Sequence, residues 1–442
     1  MKTISRMVYS QPLTRCMCGS FRMLTSRNSL LLAFLFLFFI TDKQVNAQND
    51  DNEKLVSFYG YVGYEAIFDT HESVFTRDGE LYLYPSAPKY HPTTGGLINR
   101  NLQHEMLSLQ SRAGARISGP NVMGAKLTGV LEGDFFATAE AYKHHLRVRH
   151  AMMKLQWDKL AVTMGQYWHP MFTPEVFPLV ESFGAAAPFN PLNRSPQIRF
   201  DYQPIPSLKL VAAALAHGYH FSIGPEDAQR NSGIPDLQFQ IHLGSTPNLT
   251  TGVTLGYMWL KPFGGIVNGE QYYSDNSIGA YNLQWFGRAK TSNFTLQAKV
   301  SYGENMTQFV MIGGYGRQLA DTAKLSDYNY ANLRTFAGWV EGIYDVSEVL
   351  QLGVLVGAMG VLGSNEKIDT EGPIWYTRAA NMARGYRLSP RIVYRPHKSF
   401  SLAIEYLYNT ADYGSSFDDY GVPQDLTRTL NHRFLFAAKY FF

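Results

Sequence analysis

The residues that could do chemistry in this chain of 442 residues are arginines and carboxylates set two or four apart. Arg112 with Arg116, Glu132 with Asp134, Arg147 with Arg149 and Arg387 with Arg391 all keep even spacing. In an extended chain successive side chains point to opposite faces, so each pair shares one face of one strand. Charges arranged this way make a wall, and the chemistry of a charged wall is to concentrate ions of opposite sign. Other reactive groups lack a usable pattern. His144 and His145 would face opposite ways, and no Cys, Asp or Glu completes a metal set with His150. No recognisable sequence marks a nucleophilic serine, and Asp418-Asp419 beside Asp412 reads as an acidic solvated loop before it reads as a calcium site. No catalytic residue, metal or cofactor is expected.

The first residues read as a sorting segment. Arg22 and Arg27 precede an apolar run from Leu30 to Ile40, and Val45-Asn46-Ala47 supplies small residues for cleavage before Gln48. This is the pattern of a secretory signal peptide over 1–47. The run is too short to cross a hydrocarbon core of about 30 Å as a helix. The long stretch before Arg22 leaves Met1 and Met23 both open as the start. Cys16 and Cys18 fall in the removed part, so residues 48–442 contain no disulfide, thiolate metal site or cysteine nucleophile. With 33 basic against 35 acidic residues, that part carries a net charge near −2 and nothing that suggests a nucleic-acid partner.

The positioning elements are strands. Val56, Phe58, Gly60, Val62, Tyr64, Ala66 and Phe68 share one face, and Ser57, Tyr59, Tyr61, Gly63, Glu65 and Asp69 the other. The alternation recurs in sixteen segments, beginning near residues 55, 106, 122, 145, 159, 196, 207, 236, 249, 277, 293, 331, 349, 384, 400 and 431. It breaks at His150, at Gln166 and around Val340. Pro390 falls inside the fourteenth segment, where a bulge is expected.

The connections alternate in length. Short ones, such as Gly119-Pro120-Asn121, Gln203–Ser207 and Pro396–Ser399, follow even segments, and long ones, such as 70–105, 167–195 and 304–330, follow most odd segments. Short turns at one end and long loops at the other are the pattern of an outer-membrane barrel. A bilayer has no water to satisfy an open sheet edge, so such a sheet must close. The expectation is an all-β fold, residues 48–442 forming one transmembrane antiparallel β-barrel of 16 strands. Its short turns would be periplasmic and its long loops extracellular.

The last segment places Phe434, Phe436, Ala438, Tyr440 and Phe442 on one face. Here the chain resembles bacterial outer-membrane barrels, whose terminal aromatic is read by the barrel-assembly machinery. More closely it resembles the general trimeric porins, DcaP-like porins or a Bacteroidota counterpart. The residues that carry this likeness are Tyr59-Gly60-Tyr61, Arg147-Val148-Arg149-His150, Gly165-Gln166 and Arg387 through Arg391. The resemblance implies a homotrimer in outer-membrane lipid and a third loop, Tyr167 to Pro196, folded into the lumen. Its six prolines make that loop stiff. Glu175, Glu181 and Arg194 would then face a wall of Arg112, Arg116, Arg147, Arg149, Arg387 and Arg391.

With the apolar faces toward lipid, the lumen would be lined by those arginines and by Arg433, Lys126, Arg199, Arg288, Lys299, Arg395 and Lys439. The inward acids would be Glu65, Asp69, Glu132, Asp134, Asp201 and Glu405. The expected function is passive diffusion of small hydrophilic solutes with a preference for anions. Two alternatives are a surface adhesin or receptor on a barrel closed by its own side chains, and an outer-membrane hydrolase. Sixteen strands argue for an aqueous lumen, whereas a barrel of about eight strands is filled by its own side chains.

Overall fold

The computed structural model describes residues 55–442, apart from 138, 219, 245–247, 263, 268–269, 274–275, 320–328 and 373. The signal-peptide segment 1–47 lies outside the described residues. Among those described, sixteen strands form one closed antiparallel sheet. They are β1 (Val56–Asp69), β2 (Gln103–Leu107 and Arg112–Val122), β3 (Ala125–Asp134), β4 (Arg147–Gln156), β5 (Leu160–Trp168) and β6 (Arg194–Ile205). Next come β7 (Leu208–Leu215), β8 (Asp236–Leu243), β9 (Leu249–Leu260), β10 (Ile278–Lys290) and β11 (Phe294–Glu304). The remainder are β12 (Tyr330–Asp345), β13 (Leu350–Gly363), β14 (Met382–His397), β15 (Phe400–Tyr413) and β16 (Thr427–Phe441). β16 closes onto β1, with Tyr61 opposite Phe441 and Asp69 opposite Arg433. Among the described residues no helix is long and apolar enough to cross a membrane.

The two faces differ as the alternation requires. Phe58, Phe200, Phe239, Leu255, Val354, Ile392 and Phe434 point outward and are exposed in the isolated chain, where lipid would meet them. Gln240, Thr254, Gln284, Glu341, Ser389, Glu405 and Arg433 point inward and are buried. Their burial shows that interior loops cover this part of the inner wall. Leu81, Leu83 and Tyr84 from the first loop pack with Met171, Phe172, Phe189 and Leu192 from the third. Met306 and Phe309–Ile312, from the loop after β11, complete an apolar core inside the long-loop end of the barrel. Each such side chain contributes on the order of 1.5–3 kcal/mol by leaving water. This core was absent from the sequence expectation.

Three local departures from the expected strands have physical causes. The strand pair β2–β3 runs through Gly119-Pro120-Asn121 with a register shift and turns instead at Met123 and Gly124, both at positive φ. A two-residue turn of that hand matches the twist of its strands. Pro390 brings no bulge. The register on both sides of it is unbroken, and Ser389 and Pro390 simply lack ladder partners on β15. The break at His150 is a bulge. Glu132 pairs with His150 and Gly133 with Val148, so Arg149 is the extra residue on β4. A bulge re-aims side chains, and here Arg149 and His150 both turn inward and are buried.

The break at Gln166 follows Gly165, whose φ is +117°. A Cβ there would lie 2.2 Å from the Ala151 carbonyl oxygen. Gly165→Ala is therefore expected to cost about 1–3 kcal/mol in backbone strain. The check is the temperature at which the refolded barrel loses its compact, detergent-resistant form, which should fall. An unchanged temperature would refute this account of Gly165.

Candidate functional site: a cavity between the third loop and an arginine wall

The third loop leaves β5 at Trp168 and returns at Arg194, which is the first residue of β6 and so belongs to the wall rather than to the loop. Between them the loop lies along the inner wall from β8 to β15. A loop inside a barrel carries peptide groups that water does not reach, and each needs a partner. Wall side chains supply them. Gln240 donates to the Pro170 carbonyl (3.1 Å), Gln284 to Met171 (2.7 Å), Lys299 to Phe172 and Gln297 to Phe177 (2.9 Å). In the other direction, the Leu179 amide donates to Glu341 (3.0 Å), and the amides of Glu181 and Ser182 both donate to Glu405 Oε2 (2.8 Å each). Trp339 Nε1 donates to Asn190 Oδ1 at 3.1 Å.

Because the loop hugs that side, the open space lies against β2 to β6. A cavity of about 350 Å³ is lined by Gln110, Arg112, Arg147, Arg149 and Arg194 on the wall. Phe172, Phe177, Val180 and Phe183 of the third loop also line it, with Trp168 beside Arg194 at the end of β5 and with Glu181 and Lys439. A larger groove of about 510 Å³, lined by Ile198, Phe200, Leu237 and Phe239, opens on the outer, lipid-facing wall and holds no charged group.

Of the residues expected to line a pore, the structure brings five together here. Arg147 makes two hydrogen bonds to Asp134, at 2.6 and 3.1 Å. Arg149 bridges Glu132 (2.7 Å) and Asp134 (2.9 Å). The Arg112 Nε lies 3.8 Å from Glu132, beyond hydrogen-bonding distance. Arg194, expected on the loop, joins this group from the wall. His220, from the loop after β7, also lines the cavity. Burial, reinforced by Arg378, Arg147 and Arg194, pushes its ring down to about 3, so it enters uncharged near neutral pH.

The others serve elsewhere. Arg387 pairs with Glu405 at 2.9 Å, and Arg391 pairs with Glu341, all four buried behind the third loop. Glu341 was missed as an inward acid because the alternation of β12 is weak around Val340. Arg433 grips Asp69 through two bonds of 2.7 and 2.9 Å. Arg116 stacks over the Tyr59 ring at 4.2 Å, exposed nearer the short-turn end. The loop acids do not meet the arginines. Glu175 pairs with Lys209, and Glu181 with Lys439 at 2.8 Å. Asp412 and Asp419 pair with basic neighbours, and among the described residues no acid or histidine cluster could hold a metal.

The first loop enters the same space as a hairpin, Ser73–Thr76 with Leu81–Pro85. Glu80, at its tip, is buried and interacts with Glu65 on β1. Gln110 donates to one oxygen of Glu65, while the other oxygen and both of Glu80 accept no hydrogen bond. Burial pushes the Glu80 carboxyl up to about 7, against the pull of Lys439 and Arg433 and with a small push from Asp134. A raised carboxyl favours the seated hairpin below its ordinary value of 4.5 and loses that contribution as pH climbs through about 7. The hairpin is expected to resist proteolysis at about pH 5 and to become cleavable at about pH 8, and Glu80→Gln should abolish the difference. Equal cleavage of the native chain at both pH values would refute this.

Neither a protein-family model nor a curated protein matches the chain. Solved structures do. The outer membrane channel DcaP of Acinetobacter baumannii superposes with a TM-score of 0.64 at 17% identity, over 88% of this chain and 97% of that one. The trimer form of OmpT, an outer membrane protein of Vibrio cholerae, matches with a TM-score of 0.52 at 14% identity, over 88% and 99%. An anion-selective porin from Comamonas acidovorans gives 0.52 at 9% identity, again over 88% and 99%. The chain has the fold of the outer-membrane porins: a closed antiparallel barrel of sixteen strands.

Proposed function

We propose that the chain is a passive diffusion channel of the bacterial outer membrane that favours small hydrophilic anions. The observation that carries this is the charge of the cavity. Arg112, Arg147, Arg149 and Arg194 face it, and among the described residues their ion-pair partners are Glu132 and Asp134, since Glu181 is matched by Lys439. The excess is about two positive charges around a cavity of about 350 Å³, a size comparable to the screening length of about 8 Å at physiological salt. A narrow, low-dielectric passage with such an excess draws anions in and repels cations. The same excess supports a leak-type route for anions, and the acids that face these arginines, Glu132 and Asp134, are held in ion pairs.

A homotrimer fits the outer surface, where Ala113, Ala115, Gly129 and Gly133 leave a shallow strip on β2 and β3. The reading also takes Phe442 as the residue offered to the barrel-assembly machinery; its amide and carbonyl pair with Gly60.

The test is to refold residues 48–442 into a planar bilayer and measure the reversal potential under a KCl gradient. A chloride-biased reversal with stable steps is expected. A cation bias would refute the anion preference, and absence of conductance from a folded barrel would refute the channel.

A further inference from the structure

The four arginines of the cavity are not equivalent. Three share the two carboxylates Glu132 and Asp134. Arg194 is buried, 5% exposed, and makes no ion pair with any described residue. Its Nε has no hydrogen-bond partner. What holds it is a ring. Trp168 lies directly opposite on β5, and the Arg194 guanidinium carbon sits 3.8 Å from the indole centroid. The other face of the indole stacks on Phe172 of the third loop, 3.7 Å away and only 10° from parallel. A guanidinium held over an aromatic face keeps its charge and its N–H donors, whereas one held by a carboxylate has both neutralised.

We propose that Arg194 is the residue that sets anion selectivity in this passage, and that Trp168 is its positioning residue. A passing anion would exchange part of its water for the Arg194 guanidinium, which borders the cavity, then move on. The column Phe172–Trp168–Arg194 couples this to the third loop, since the loop's own ring fixes the indole from behind. The inference rests on the reading of the barrel as an anion-favouring channel.

The experiment compares the refolded mature chain with four variants by reversal potential under a KCl gradient, each first checked for the detergent-resistant barrel form. Arg194→Gln is expected to lower the chloride-over-potassium permeability ratio by about threefold or more, as loss of half the local charge excess requires. Trp168→Leu keeps every charge yet should lower the ratio as well, and Trp168→Phe, which restores an aromatic face, should recover most of it. Arg230→Gln removes the same charge from an exposed loop position and should leave the ratio unchanged. A folded Arg194→Gln channel with the native ratio overturns the proposal while leaving the anion preference intact. A Trp168→Leu channel with the native ratio overturns the positioning role. A native channel without chloride bias sinks the underlying reading itself.

Discussion

Everything inside this barrel depends on how the peptide groups of the third loop are satisfied. A loop drawn into a closed sheet has neither ladder partners nor bulk water, and an unpaired buried amide or carbonyl costs about as much as a lost hydrogen bond. The wall answers with side chains. Glutamines on β8, β10 and β11 and a lysine on β11 donate to its carbonyls, and glutamates on β12 and β15 accept from its amides. Those glutamates are buried anions, so each needs a cation, and Arg391 and Arg387 on β14 take that place. The position of the loop thus dictates the charges behind it. It also dictates where space remains, which is the opposite wall.

That division of labour changes what the inward arginines mean. Counted as a list, they describe a strongly positive lumen. Sorted by partner, Arg387, Arg391 and Arg433 are structural counterions, while the group on β2, β4 and β6 borders the cavity. Buried ion pairs are poor evidence for net stability, because desolvation consumes much of the attraction. Their value here is geometric: removing one partner would strand a charge and release the loop it holds.

The barrel itself was readable from alternation and loop lengths, because a side-chain period of two and a closed sheet leave little freedom. The facing of Arg112, Glu132, Asp134, Arg147 and Arg149 was readable for the same reason. Pairing was not, since period two tells which way a residue points but not how far along the next strand its neighbour lies. The bulge at Arg149 and the turn at Met123 depend on register, which alternation leaves open. Pro390 shows the converse, a residue that promised an irregularity and merely omits a ladder bond. The internal apolar core escaped notice because its members are scattered over three loops with no period of their own.

Arg433 and Lys439 both belong to β16, the strand that closes the sheet against β1. Arg433 donates to the carbonyl of Gly79 and stacks over Tyr82 in the first loop, and Lys439 holds Glu181 in the third. Two of the clasps on the interior loops therefore do not exist until the final seam is joined. During assembly the sheet must curl around loops that are still loosely held, and joining the seam fastens them. A barrel left unzipped at that seam would be open at its side and unplugged at once, so the order of its interior is a report on whether its edge has been sealed.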